Sequence, residues 1–244
     1  AGIDLPESLA DPRRPTYADV VASKRLTVLD RRDGRVLWSI DAEFQFRNNA
    51  VCLGGGRLYC VDLLSDADRD LLKRRGQKPS RPSRIAAYDL ATGTLVWSSG
   101  VYVVGTWLTY SIEHEVLVES GRPGRDVLKE EPKGMRAYRG ADGRVLWNEG
   151  HSGPAILLGE RILADRAAVA LFSGKPLERT DPLTGEAAPW TWRRNYGCNT
   201  PQASQHLLLF RSGAAGFCDL ANDGGTGNFG GFRSSCTNNL IAAG

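Results

Sequence analysis

Methionine is nearly missing from this chain. It occurs once in 244 residues, at position 135, and position 1 is alanine. We therefore expect the chain to be cut from a longer gene product. No apolar run approaches the roughly 18 residues that a membrane-spanning helix needs, which excludes a helical span. No secretory leader is visible in the Pro-, Arg- and Asp-bearing stretch Ala1 to Tyr17, although a mature chain would look the same. Neither sign of charge dominates. The 31 basic and 28 acidic residues leave +3, too near neutral to predict a nucleic-acid partner. The sequence has no Gly-x-Ser-x-Gly elbow, no Cys-x-x-Cys-His haem attachment and no adjacent cysteine pair. The five cysteines are an odd number, so at least one lacks a partner within the chain.

Glycine, by contrast, is abundant. Its 28 residues are about 11% of the chain, against a usual 7% or so. With six tryptophans, this composition suggests many short strands joined by tight turns. A hydrophobic content of 41% with 24% charged residues is an ordinary globular balance. The length allows one large domain or two small ones.

An internal repeat organises the chain. Leu26 to Trp38 reads as an apolar strand, Asp30, an Asp-Gly turn ending at Gly34, then apolar residues and Trp. Ile85 to Trp97 repeats it with Asp89 and Gly93, and Met135 to Trp147 with Gly143 but with Arg139 at the Asp position. A worn copy, Asp181 to Trp190, keeps Gly185 and carries its Trp one place late. The tryptophans are roughly 43 to 59 residues apart, which fits four-stranded propeller blades. The Asp carboxylate is suited to accept turn N–H groups. The Gly supplies positive φ. The Trp offers a large apolar face and one donor for contact between blades.

Hairpins fill the intervals: Ala50 to Asp62 around Gly54–Gly56, strands on either side of Glu113-His114, Ala155 to Ala164 around Gly159-Glu160, and a strand from His206 to Arg211. An insertion at about 65–84 breaks the rhythm. Ser65 to Asp68 resembles a capping box, a short helix is expected over Asp66 to Arg75, and Gly76 suits its C-terminal cap.

Several residues invite chemistry, each with a plainer reading. Gly225 to Gly230 spells G-x-G-x-x-G, but no helix pattern follows, so a glycine-rich loop is expected. Asp219, Asn222, Asp223 and Asn228 offer hard oxygen ligands for Ca²⁺ and are also ordinary turn formers. The three histidines, His114, His151 and His206, are scattered, and Glu113-His114-Glu115 chelates poorly unless it lies in a turn. Lys73, Arg74, Arg75, Lys78, Arg81 and Arg84 form a basic stretch, either a docking patch for an anionic partner or a solvated insertion. Cys52 and Cys60 flank a hairpin turn and can bond if the register places them opposite each other. Buried free thiols are the other common outcome.

The copies from Leu26 to Trp192 resemble the repeat of quinoprotein-type, pyrroloquinoline quinone (PQQ)-like β-propellers. The tail motifs, Asn195 to Thr200, Phe210 to Gly213, Phe217 to Leu220 and Gly230 to Thr237, are similar to planctomycete members. The resemblance implies an all-β propeller of four-stranded antiparallel blades. Four blades are recognisable, with a partial fifth, as expected of an incomplete propeller, and one short helix is inserted. An extended segment over 1–19 would precede the repeat region of 20–244, with a Cys/Gly-rich tail over 195–244. Within that family-like tail, Cys198 and Cys236 are the preferred disulfide. Family members include PQQ-dependent dehydrogenases, whose site uses PQQ, Ca²⁺, adjacent cysteines and a stacking Trp. Other members are scaffolds of the cell envelope. We expect a non-catalytic periplasmic or extracellular platform with a protein or envelope partner. No cofactor is expected in this chain, and missing blades or a fused domain would lie outside it. The alternative is a quinoprotein dehydrogenase completed elsewhere, with PQQ and Ca²⁺.

Overall fold

The structure, a computed structural model, describes residues 22–79, 81–100, 103–105, 107–121, 134–181, 183–197, 200–232 and 240–241. The segment expected over 1–19 lies outside them. The described chain forms two compact units, one through Gly153 and one from Pro154.

In the first unit, β1 (Ala22–Leu29), β2 (Val36–Gly54), β3 (Arg57–Asp62), β4 (Arg84–Asp89) and β5 (Leu95–Ser99) pair antiparallel in chain order. Strand β2 serves two blades. Its first half pairs with β1, setting Trp38 opposite Val28, and its second half pairs with β3 beyond a register break between Phe46 and Val51. A second sheet orders β6 (Trp107–Ser111), β7 (Val116–Ser120), β8 (Met135–Arg139) and β9 (Val145–Glu149). Each full blade thus runs through strands A to D in chain order. The inner strands are buried on both faces, which is why Tyr59, Cys60 and Val61 are all fully covered.

The faces of these sheets build two cores. Phe46, Leu58, Cys60, Ala86 and Tyr88 pack with Leu26, Val28 and Trp38 of the first blade. Tyr59, Val61, Ile85, Ala87 and Trp97, on the opposite face of the second blade, pack with Leu108, Leu117 and Tyr138 of the third. A blade alone leaves both faces wet, and stacking removes that cost.

The insertion forms helix α1 (Asp66–Arg74) as the cap signals predict. Ser65 Oγ accepts the Asp68 N–H, and Gly76 takes positive φ just past the end.

The second unit holds β10 (Ile156–Leu158), β11 (Arg161–Ala164) and β12 (Ala167–Ala170), with Val169 bridged to Pro176 in place of a regular fourth strand. A hairpin of β13 (Glu178–Thr180) and β14 (Ala187–Pro189) follows. A four-stranded sheet closes the series: β15 (Gln202–Ala203), β16 (Leu207–Ser212), β17 (Ala214–Asp219) and β18 (Gly225–Asn228). Leu163, Trp190, Trp192, Leu208, Phe210 and Cys218 form its core. The Gly225 to Gly230 letters are not a loop: Gly225–Asn228 is strand D of the last sheet, and Gly227 pairs with Phe217.

The repeat also runs differently from its letters. In the second to fifth blades the residue after the C-strand end donates its N–H to the A–B turn: Leu90 to Gly56, Gly140 to Glu115, Leu171 to Glu160 and Leu220 to His206. By this stitch, the C–D turn of the fourth blade is Ala170 to Gly174. Asp181 to Gly185 instead caps the additional hairpin. The two turns share one geometry, with Gly174 and Gly185 donating to the carbonyls of Ala170 and Asp181.

Candidate functional site

The turn aspartates singled out in the sequence are each bonded within their own turn. Asp89 Oδ1 accepts the Ala91 and Thr92 N–H groups and the Thr92 hydroxyl. Asp30 accepts from Arg32, Asp181 from Leu183 and Thr184, and Asp219 from Ala221 and Asn222. These bonds favour the ionised carboxylate, and the Asp89, Asp181 and Asp219 carboxyls lie below their ordinary range for that reason. In the third copy Arg139 replaces Asp and pairs with Asp142.

The indoles reach from one blade to the turn of the next. Trp38 Nε1 donates to Leu90 O at 3.0 Å and Trp97 Nε1 to Gly140 O at 2.9 Å. The rings lie on the turn glycines. A Cβ on Gly93 would stand 2.7 Å from Trp38, and one on Gly143 would stand 2.5 Å from Trp97. Trp147 is buried at the equivalent place in β9, opposite Ala137. Trp190, delivered by the additional hairpin, donates instead to Asp223 Oδ1 at 2.9 Å. Trp192 donates to Ala164 O and packs at 4.6 Å from Phe210.

Two buried carboxylates escape a reading by motif. Asp62, at the end of β3, accepts N–H bonds from Glu43, Phe44 and Gln45 at the bulge of β2 and lies 3.6 Å from Arg84. Glu119, in β7, accepts from the N–H groups of Val104 (2.6 Å) and Gly105 (3.1 Å) and from the Tyr138 hydroxyl (2.7 Å). Arg136 donates to Tyr138 Oη. Burial pushes the Glu119 carboxyl up to about 7, against the opposing pull of these bonds and of Arg136. The sign that reveals Glu119 is a carboxylate directly after the apolar run Val116 to Val118 in a fully buried strand, across from Arg136 in β8.

The other candidates separate. Asp219 and Asp223 are engaged with the turn and with Trp190, and Asn228 donates to Ser212 O and accepts from Gly230 N–H. Among the described residues no three His, Cys, Asp or Glu side chains converge. His114 lies in the turn before β7, 3.7 Å from Glu113.

The Cys52–Cys60 bridge does not form: Cys52 pairs with Tyr59 and Cys60 with Val51, so a one-residue offset sends the two thiols to opposite faces. Cys218 is also a free thiol. Cys198 and Cys236 lie outside the described residues. The basic stretch divides as well. Lys73, Arg74, Arg75, Lys78 and Arg81 are exposed, whereas Arg84 turns inward to Asp62 and leaves the patch.

Residues 22–197 match the family described as outer membrane protein assembly factor BamB. Among solved structures, BamB from Moraxella catarrhalis is 14% identical with a TM-score of 0.50, over 81% of this chain and 56% of that one. The computationally designed Ika8 protein is 11% identical with a TM-score of 0.48, over 82% and 54%. Quinohemoprotein alcohol dehydrogenase ADHIIG from Pseudomonas putida HK5 is 12% identical with a TM-score of 0.44, over 81% and 41%. The chain thus spans about half the length of these proteins. No curated protein sequence matches it. With the sheets described above, the family match makes this an all-β, β-propeller-type chain of antiparallel blades with one short helix.

Proposed function

The chain belongs to the PQQ-like repeat family described as outer membrane protein assembly factor BamB, and from that premise we propose that it is a non-catalytic platform of the cell envelope that binds protein partners. One observation carries the reading. The groups with chemical potential, the Trp38 and Trp97 indoles, the turn aspartates, Asp62 and Glu119, are each bonded to main chain of this same protein. The indole bonds act as docking pegs that fix one blade on the next, leaving the blade surfaces for recognition.

The family description supports an extracytoplasmic location and an assembly role. Among the described residues no helix is long and apolar enough to cross a membrane. The test joins two measurements. In fractionated native cells the protein is expected in the envelope, migrating with a protein complex well above the mass of its own polypeptide. Purified full-length protein given PQQ and Ca²⁺ is expected to show no dye-coupled oxidation of alcohols or sugars. Turnover in that assay would overturn the reading in favour of a quinoprotein dehydrogenase.

A further inference from the structure

The insertion between β3 and β4 is rooted and then presents charge. At its base Asp62 faces Arg84 at 3.6 Å, Leu64 N–H donates to Ser83 Oγ at 3.0 Å, and Leu63 N–H donates to Gln45 O at 3.0 Å. Arg81 adds a looser pair with Glu43 at 3.7 Å. Helix α1 rises from this stem with Asp68, Arg69 and Asp70 in its first half, Lys73 and Arg74 in its last turn, and Arg75 and Lys78 beyond it. Asp68 is tied to the cap at Ser65.

Lys73, Arg74, Arg75 and Lys78 are exposed, and none of them takes part in an ion pair among the described residues. The helix C-terminus favours cations in its last turn, but that effect ends with the turn and leaves Lys78 without a structural task.

The chemistry around these cations selects the partner. Residues 63–84 contain no aromatic side chain, and Leu71 and Leu72 are turned half inward. Protein interfaces are anchored by buried aromatic and apolar groups; they are depleted of lysine, and the arginine they favour works beside such anchors. A patch that offers several Lys and Arg heads and no apolar anchor is matched by a diffuse polyanion, such as a surface of anionic lipid headgroups. We propose that α1 and the residues that follow it, through Lys73, Arg74, Arg75 and Lys78, dock this protein on an anionic lipid surface. This inference does not depend on whether the blades serve as a scaffold or as an enzyme.

Co-sedimentation of the full chain with lipid vesicles tests it. Binding to vesicles of phosphatidylcholine with 30% phosphatidylglycerol is compared with binding to pure phosphatidylcholine. Each juxtaposed cation is worth about a fivefold gain on an anionic surface. We therefore expect at least tenfold tighter binding to the anionic vesicles, falling as salt screens it. The quadruple variant K73Q/R74Q/R75Q/K78Q should lose that preference, with a melting curve like wild type. The double variant R31Q/R32Q, exposed at the first blade's turn, should keep it. Equal binding to both vesicle types, or retention of the preference by the quadruple variant, would overturn the proposal. So would salt-sensitive binding to poly-glutamate without binding to anionic vesicles, which would reassign the patch to an acidic polypeptide.

Discussion

The indole of Trp97 meets the turn of the following blade twice, through a 2.9 Å bond to Gly140 O and through ring contact with Gly143. The turn glycine therefore has two tasks. It takes φ +73°, and its missing side chain makes room for a ring from about 46 residues earlier in the chain. Trp38 and Gly93 repeat the relationship one blade earlier.

Gly143→Ala separates these tasks. At Gly34, φ is +74° and nothing lies within 4 Å of an added Cβ, so Gly34→Ala carries the left-handed penalty alone, about 1 to 2 kcal/mol. At Gly143 the same strain is joined by a clash with the indole. Urea unfolding should show Gly143→Ala losing at least about 1 kcal/mol more than Gly34→Ala. Equal losses would remove the close-approach argument.

Trp97 is nearly covered and lies in the core between the second and third blades. Trp97→Ala should cost about 3 to 5 kcal/mol. Trp97→Phe keeps most of the apolar contact but leaves Gly140 O without the indole donor. That bond is worth about 1 kcal/mol, so the Phe variant should fall between wild type and Ala in denaturant midpoint.

How far letters reveal this structure depends on what each position does. The first two copies are readable because Asp, Gly and Trp each have a task that other residues perform poorly. The fourth blade hides because its turn has Ala170 in place of Asp and Glu178 in place of Trp, while the additional hairpin carries the motif-like Asp181, Gly185 and Trp190. In the last sheet Gly227 stands at the indole position, and the ring of Phe217 occupies the space beside it. The cysteines defeat inference for a different reason. Hairpin spacing leaves register open by one residue, and one residue reverses the face.

Asp62 shows what a buried carboxylate does when it replaces strand pairing. It satisfies three N–H groups at the β2 bulge and faces Arg84. Asp62→Ala leaves those donors and a half-buried guanidinium without their acceptor, a loss of about 3 to 5 kcal/mol. Asp62→Asn retains two acceptor lone pairs and should recover part of it. A melting temperature unchanged in the Ala variant would contradict the bulge role.

Cys52 and Cys60 should resist thiol reagents while the chain is folded. Burial pushes both thiols up to about 12, so the reactive thiolate is scarce at neutral pH. Iodoacetamide labelling followed by peptide mapping should modify both only in denaturant. Finding a Cys52–Cys60 linked peptide in unreduced protein would refute the register described here.

Glu119 makes stability depend on pH in an unusual direction. Its carboxyl titrates near 7 in the fold, against an ordinary value of 4.5. Below the ordinary value both folded and unfolded chains hold the proton, and the group's contribution is complete. Between roughly 4.5 and 7 the unfolded chain releases the proton while the folded chain keeps it, so stability falls as pH rises. Above about 7 the contribution is constant at its lower level. The shift corresponds to about 3 kcal/mol. Other carboxylates, such as Asp89, shift in the opposite sense, so the readout is a difference between proteins. Glu119→Gln removes the titration and retains an oxygen for the Val104 and Gly105 N–H groups. Urea unfolding at pH 5 and pH 8 should show the stability of the Gln variant relative to wild type improving by about 2.5 kcal/mol at the higher pH, since part of the shift is already expressed at pH 5. A relative stability unchanged between the two would mean that the Tyr138 hydroxyl and Arg136 hold Glu119 ionised throughout.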